Sequence, residues 1–242
     1  MLNKTLTTAA ALAAVSALPA QAAIEYGDYS GDTIDYLDVA EDDQGLFGAP
    51  FISGDSLVFT PLDFEALAAD GDIDLVDGTF SAILMTTDDA PLVSVELFES
   101  GFFTLSGDGG EDTRVIAGLA ATVNILEVDG EVFEDNPSTL NFSEILADFN
   151  LGDDGENLLT DWSGSFELPI AAAAEEYLGI TGNITKAAIV VDNQLLAFSE
   201  EGSVSFIDKK SFEIEIVVPE PASLALVAAG AFAMMSRRRV DA

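Results

Sequence analysis

Apolar and polar residues alternate along most of the chain in short runs separated by turn residues. A period of two places alternate side chains on opposite faces of a strand. Residues 79–86 are apolar and partly alternating. Residues 92–98 alternate, with Leu92, Ser94, Glu96 and Phe98 on one face, and 101–106 follow after a turn. Residues 113–128 form one long run with Gly118 at a bulge or bend. Asp129-Gly130 then turns it into Glu131-Val132-Phe133, a two-residue hairpin signal. Residues 161–168 put Trp162, Gly164, Phe166 and Leu168 on one face, which reads as core, and Ser163, Ser165 and Glu167 on the other. Residues 186–198 carry two apolar runs around a hairpin-like turn at Asp192-Asn193. Residues 204–208 and 212–217 close the series, with Phe212, Ile214 and Ile216 alternating against Glu213 and Glu215.

The punctuation is dense. Ser-Gly-Asp recurs at 30–32, 53–55 and 106–108, and Asp-Gly pairs stand at 70–71, 77–78, 108–109, 129–130 and 154–155. Such pairs supply the positive φ that tight turns need. Helical signal is thin: 170–178 predicts two turns with Gly179 as C-cap, and 61–69 a turn or so. Many short strands with little helix predict an all-β domain, a two-sheet antiparallel β-sandwich.

Both ends differ from this pattern. Residues 1–22 read as a signal peptide: Lys4, a short apolar stretch, and Ala20-Gln21-Ala22 as a small-x-small site with cleavage before Ala23. At the other end, Val218-Pro219-Glu220-Pro221 precedes an uncharged stretch and then Ser236-Arg237-Arg238-Arg239. Residues 222–236 span about 22 Å as a helix, short but insertable. Arg237, Arg238 and Arg239 hold its C-terminal side in the cytoplasm. Pro219 and Pro221 stop a helix from running upstream.

This tail resembles the PEP-CTERM sorting signal of Gram-negative bacteria, with the Pro-Glu-Pro motif, apolar helix and Arg cluster in order. The resemblance implies recognition by exosortase, a membrane protease-transpeptidase, in a bacterium that makes extracellular polysaccharide. The precursor is then held in the inner membrane by its C-terminal helix. After processing the product lies at the cell surface or outside the cell. Residues 23–217 are the exported domain and 218–242 the sorting tail. A second resemblance lies in Val204 to Asp208 followed by Phe212 to Ile216, similar to the closing strands of jelly-roll carbohydrate-binding modules. Residues 36–50 resemble openings of PEP-CTERM exported domains.

Charge narrows the chemistry. The chain has 44 acidic and 8 basic residues, and no His or Cys. Within 23–218 the basic residues are Arg114, Lys186, Lys209 and Lys210. Without Cys there is no disulfide or thiol nucleophile, and without His no Ser-His-Asp triad or imidazole metal site. Phosphate contacts need Lys and Arg, so nucleic acid is excluded as a partner.

Asp70, Asp72 and Asp74 stand two apart, with Asp77 three further on, and are candidate ligands for calcium, a hard cation. An EF-hand starting at Asp70 fails, because Leu75 and Ser81 stand where Gly and Glu are needed. The jelly-roll resemblance implies a second pairing, Asp208 with Asp32 or Asp38. Tyr26, Tyr29 and Tyr36 are candidates to stack on sugar or to cover a sheet edge. The leading expectation is a non-enzymatic cell-surface or extracellular-matrix protein, with extracellular polysaccharide as candidate partner. The alternative is a calcium-dependent carbohydrate-binding module. A secreted glycosidase, using two of the many carboxylates, comes third.

Overall fold

The computed structural model describes residues 23–87, 90–134 and 138–217. The signal peptide expected at 1–22, the Pro-Glu-Pro motif, the apolar stretch after it and the Arg cluster lie outside these residues. Ala23 is the first residue described and is exposed.

In chain order the strands are β1 (Ile24–Ser30), β2 (Ile34–Glu41), β3 (Phe51–Ser53), β4 (Ser56–Phe59), β5 (Glu65–Ala69), β6 (Ile73–Thr86) and β7 (Ser94–Gly107). They continue with β8 (Arg114–Val128), β9 (Glu131–Val132), β10 (Thr139–Asn150), β11 (Asn157–Leu168), β12 (Ile184–Phe198), β13 (Ser203–Asp208) and β14 (Ser211–Val217). One sheet runs β1-β2-β6-β12-β8-β10, with β9 also on β8. The other runs β3-β4-β14-β7-β13-β5, with β11 on the free edge of β7. Every pairing is antiparallel. The two sheets pack as a sandwich, consistent with a jelly-roll-like domain.

The alternation explains the burial. In β14, Phe212, Ile214 and Ile216 are buried while Glu213 and Glu215 face outward. Phe47, Phe59, Phe80 and Phe212 meet between the sheets with ring centroids 5.1–6.4 Å apart, and Phe64 packs on Phe47 at 5.4 Å. Most of these ring pairs are edge-on or tilted, the favoured arrangement for ring quadrupoles.

Several turns expected from sequence are strand interior. Asp77-Gly78 lies within β6, where Gly78 makes room for Phe47, Leu46 and Phe64. Asp192-Asn193 lies within β12, one continuous strand of 15 residues. The break expected near Ser100 is absent, since β7 runs straight through it. The inward face of β7 is Val95, Leu97, Glu99, Gly101, Phe103 and Leu105, whereas Phe98, grouped with Leu92 and Ser94 from sequence, is exposed. In each case cross-strand pairing along a long neighbour outweighs the local turn preference. Residues 65–69 are strand β5, where a helical turn was expected.

Other features follow the sequence. Asp129-Gly130 makes the β8–β9 turn with φ of 53° and 75°. The bulge anticipated at Gly118 falls opposite it, between Ile145 and Ala147 of β10. The 170–178 helix is a short α turn, α1 (Ile170–Ala173), continued by a π turn to Leu178, and Gly179 caps it in the left-handed region at φ 68°.

Candidate functional site

The inner strand β7 has β11 along one edge. Its other edge is shared by β13 and β14. Ile207 pairs with Phe103 and Ser211 with Ser100, so the chain leaves the edge at residues 208–210 and rejoins it lower down. This corner arches over Gly101. A Cβ there would stand 2.0 Å from the Asp208 carbonyl oxygen, so glycine is required by close approach of backbone.

The corner is held from all sides. Trp162 Nε1–H donates to the Asp208 carbonyl at 2.9 Å, and Phe102 N–H donates to Asp208 Oδ1 at 2.7 Å. Lys209 N–H donates to the Phe64 carbonyl at 2.9 Å, and Lys210 N–H to the Ser100 carbonyl at 2.8 Å. Lys210 Nζ pairs with Asp208 Oδ2 at 2.9 Å. Trp162, 3% exposed, is core, as its alternation predicts.

Successive lysines point in opposite directions. Lys210 reaches solvent, and Lys209 enters the sandwich and is fully buried. Lys209 Nζ lies 2.7 Å from Glu99 Oε2 on β7, and donates to Asn193 Oδ1 on β12 at 2.7 Å. It also stands 4.6 Å from the Phe64 ring centroid and 5.9 Å from that of Phe212. The cluster therefore joins the two sheets at their midplane. All three polar residues have zero exposure.

The surroundings strain the charged forms. Burial pushes the Glu99 carboxyl above its usual range, opposed by the nearby Lys209. Burial pulls the Lys209 amine down, opposed by Glu99. Desolvation of both groups favours the neutral pair, amine beside carboxylic acid. Hydrogen bonding is incomplete: among the described residues Glu99 Oε1 and Asn193 Nδ2 have no aligned partner, and the 2.7 Å Lys209–Glu99 approach is not an aligned hydrogen bond. A buried cluster left partly unsatisfied is energetically expensive and needs a reason. Chemically, it places an amine 2.7 Å from a carboxamide oxygen and 2.7 Å from a carboxyl oxygen, with all three groups fully buried.

On the outer side of the same corner is an open cleft of about 270 Å³, lined by Ser100, Phe102, Asp161, Ser163 and Lys210 over Trp162.

The acidic candidates serve the backbone. Asp74 Oδ2 accepts from Leu67 N–H, Asp70 Oδ1 from Gly202 N–H, and Asp72 Oδ1 from Ile73 N–H. Asp32 lies in the β1–β2 turn, Asp38 sits at φ 52° in β2, and the Asp208 carboxylate is engaged by Phe102 and Lys210. Among the described residues no group of three or more acidic side chains is placed to hold a metal ion. Thermal unfolding in millimolar calcium, with magnesium as control, tests the candidate carboxylates directly. A calcium-specific rise of several degrees, the size saturating binding produces at this chain length, is the result expected if they hold the ion, and equal curves the result expected if they serve only the backbone.

Tyr36 is no sugar platform. It is fully buried, and its hydroxyl donates to the Asp55 carbonyl at 2.6 Å. Tyr26 and Tyr29 are half-buried against the core, and the Tyr26 hydroxyl bonds Glu41.

Glu99, Asn193 and Lys209 were not singled out by sequence. A trace was present, because the inward alternation through 187, 189, 191, 195 and 197 includes Asn193, and that through 95, 97, 103 and 105 includes Glu99. Nothing in the sequence announces that Lys209 meets them.

Comparison with known proteins bears on the tail. No match is found among curated proteins. The tailspike protein 4 enzymatically active domain of bacteriophage CBA120 is similar over 79% of this chain and 19% of its own, at 10% identity and TM-score 0.21. A family 12 xyloglucanase from Bacillus licheniformis gives 6% identity and TM-score 0.26 over 82% of this chain and 100% of its own. Endoglucanase 3 from Trichoderma harzianum, family GH12, gives 8% identity and TM-score 0.22 over 82% and 96%. At these scores no residue role is carried over. The decisive match is at the C-terminus: residues 217–239 fit the PEP-CTERM protein-sorting motif, and the chain is one that ends in this sorting signal.

Proposed function

We propose that this protein is a non-enzymatic surface or matrix component, exported as a precursor and handed to exosortase by its tail. The observation that carries this reading is the sorting motif at 217–239, which begins at the last residue of β14. The apolar segment 222–236 holds the precursor in the inner membrane until the chain is cut near Pro219–Pro221 and the sandwich is released or transferred outward. The acidic excess fits this destination, since self-repulsion keeps an exported domain soluble.

The test is to change Pro219, Glu220 and Pro221 together to Ala and follow the chain through membrane and extracellular fractions. An uncut, membrane-held form is expected. Processing at the normal rate would sink the reading. The non-enzymatic part is checked by single carboxylate-to-amide changes at Asp161 and Glu167. No polysaccharide turnover should be present to lose.

A further inference from the structure

Lys209, Asn193 and Glu99 form a site separate from the sorting tail. Their amine, carboxamide and carboxyl groups meet in a fully buried, aromatic-walled space between two sheets. The amine is 2.7 Å from the carboxamide oxygen, and Cγ is one C=O bond further on. Held this way, two reactants gain the large effective concentration of an intramolecular reaction. Complete burial keeps bulk water, the competing nucleophile, away from the groups.

We infer that the domain is a self-crosslinking module: Lys209 Nζ and Asn193 Cγ condense to an amide, with Glu99 as the proton carrier.

The step balances. The lone pair of Nζ forms the Nζ–Cγ bond, and the carbonyl π pair moves onto Oδ1. Glu99 takes one proton from Nζ and delivers one to Nδ2. The carbonyl re-forms, the Cγ–Nδ2 bond breaks with its electrons on nitrogen, and ammonia leaves. Nothing is oxidised or reduced, and Glu99 ends in the form in which it began. The nucleophile must be the neutral amine, which burial favours. The cluster's incomplete hydrogen bonding then has a reason: Nδ2, the atom without a partner, is the leaving group. The product bond ties β12 of one sheet to the β13–β14 corner of the other. In a chain without cysteine it supplies the covalent staple that a disulfide cannot.

The test is the mass of the peptide 187–210, obtained from the purified full chain by trypsin under denaturing conditions. No Lys or Arg lies between Lys186 and Lys209, so both partners fall in one peptide. It should be lighter by one ammonia, about 17 Da, and uncut after Lys209. Further digestion after Glu200 and Glu201 should leave the Asn193 and Lys209 fragments joined. A peptide of unaltered mass overturns the proposal. So does a light peptide whose two fragments separate, because that marks a cyclised Asn193 alone. Glu99→Gln should abolish the link in a chain whose circular dichroism stays that of a sandwich; a link persisting there overturns the role of Glu99. Asn193→Asp is a second variant of the same shape. Its link expels water, so the peptide should be light by about 18 Da.

Discussion

Lys209→Met is expected to lower stability by about 3–5 kcal/mol, because it leaves the Glu99 carboxyl buried without its polar partner. That corresponds to a fall in Tm on the order of 10 °C for a domain of this size. The methionine fills the same slot beside Phe64 and Phe212 with little change in packing, so the loss reports the polar cluster itself. Adding Glu99→Leu should restore part of it, since replacing both partners of a buried polar pair by apolar residues is often neutral. The double variant also separates two accounts. If Lys209 and Glu99 form only a non-covalent pair, the double variant should approach the parent. If Lys209 and Asn193 are joined, it should stay below the parent by about 3 kcal/mol, the contribution of closing a loop of this length. Denaturant unfolding of parent, single and double variants measures all three.

Gly101→Ala should cost about 3 kcal/mol or more, at the upper end for overpacking. The new methyl would meet the Asp208 carbonyl oxygen at 2.0 Å and Trp162 Nε1 at 3.0 Å, and backbone gives way less readily than a side chain. The corner must lift, and the Trp162 to Asp208 hydrogen bond breaks first. Trp162 is the sole tryptophan, so its emission should shift to the red as its ring meets water. Gly54→Ala is the control. It stands in open space at φ +65°, and its cost should be limited to the backbone preference, about 1 kcal/mol. Equal losses at the two positions would mean that the corner does not press on β7 as described.

Lys209 and Gly101 are residues that alternation alone does not single out. The inward face of β14 was legible because every second residue from Phe212 to Ile216 is large and apolar, and only a buried face rewards that pattern. Trp162 was legible for the same reason. The β8–β9 hairpin was legible because Asp129-Gly130 is a turn that few other conformations tolerate. Asp77-Gly78 and Asp192-Asn193 carry the same local signal and are not turns. They pair across the β6–β12 ladder, where Asp77 faces Gln194 and Asn193 faces Gly78, and the ladder continues on both sides. Turn preference is roughly a few tenths to one kcal/mol, and a fully paired central strand outweighs it.

By itself, then, the sequence determined the address and the class. A Pro-Glu-Pro motif, an apolar stretch and an arginine cluster are contiguous, and contiguous signals need no fold to be read. Period-two alternation likewise determined a sandwich, because it is a property of neighbouring residues. The meeting of Glu99, Asn193 and Lys209 was decided only by tertiary structure. They come from two sheets and a corner, and their proximity depends on the register of β7 against β13 and β14 and on the stacking of β12 over it. A lysine beside a second lysine in an acidic chain looks like solvated surface. The side chain is driven inward by the turn at 208–210, whose geometry rests on Gly101 and Trp162, more than 40 residues away in sequence.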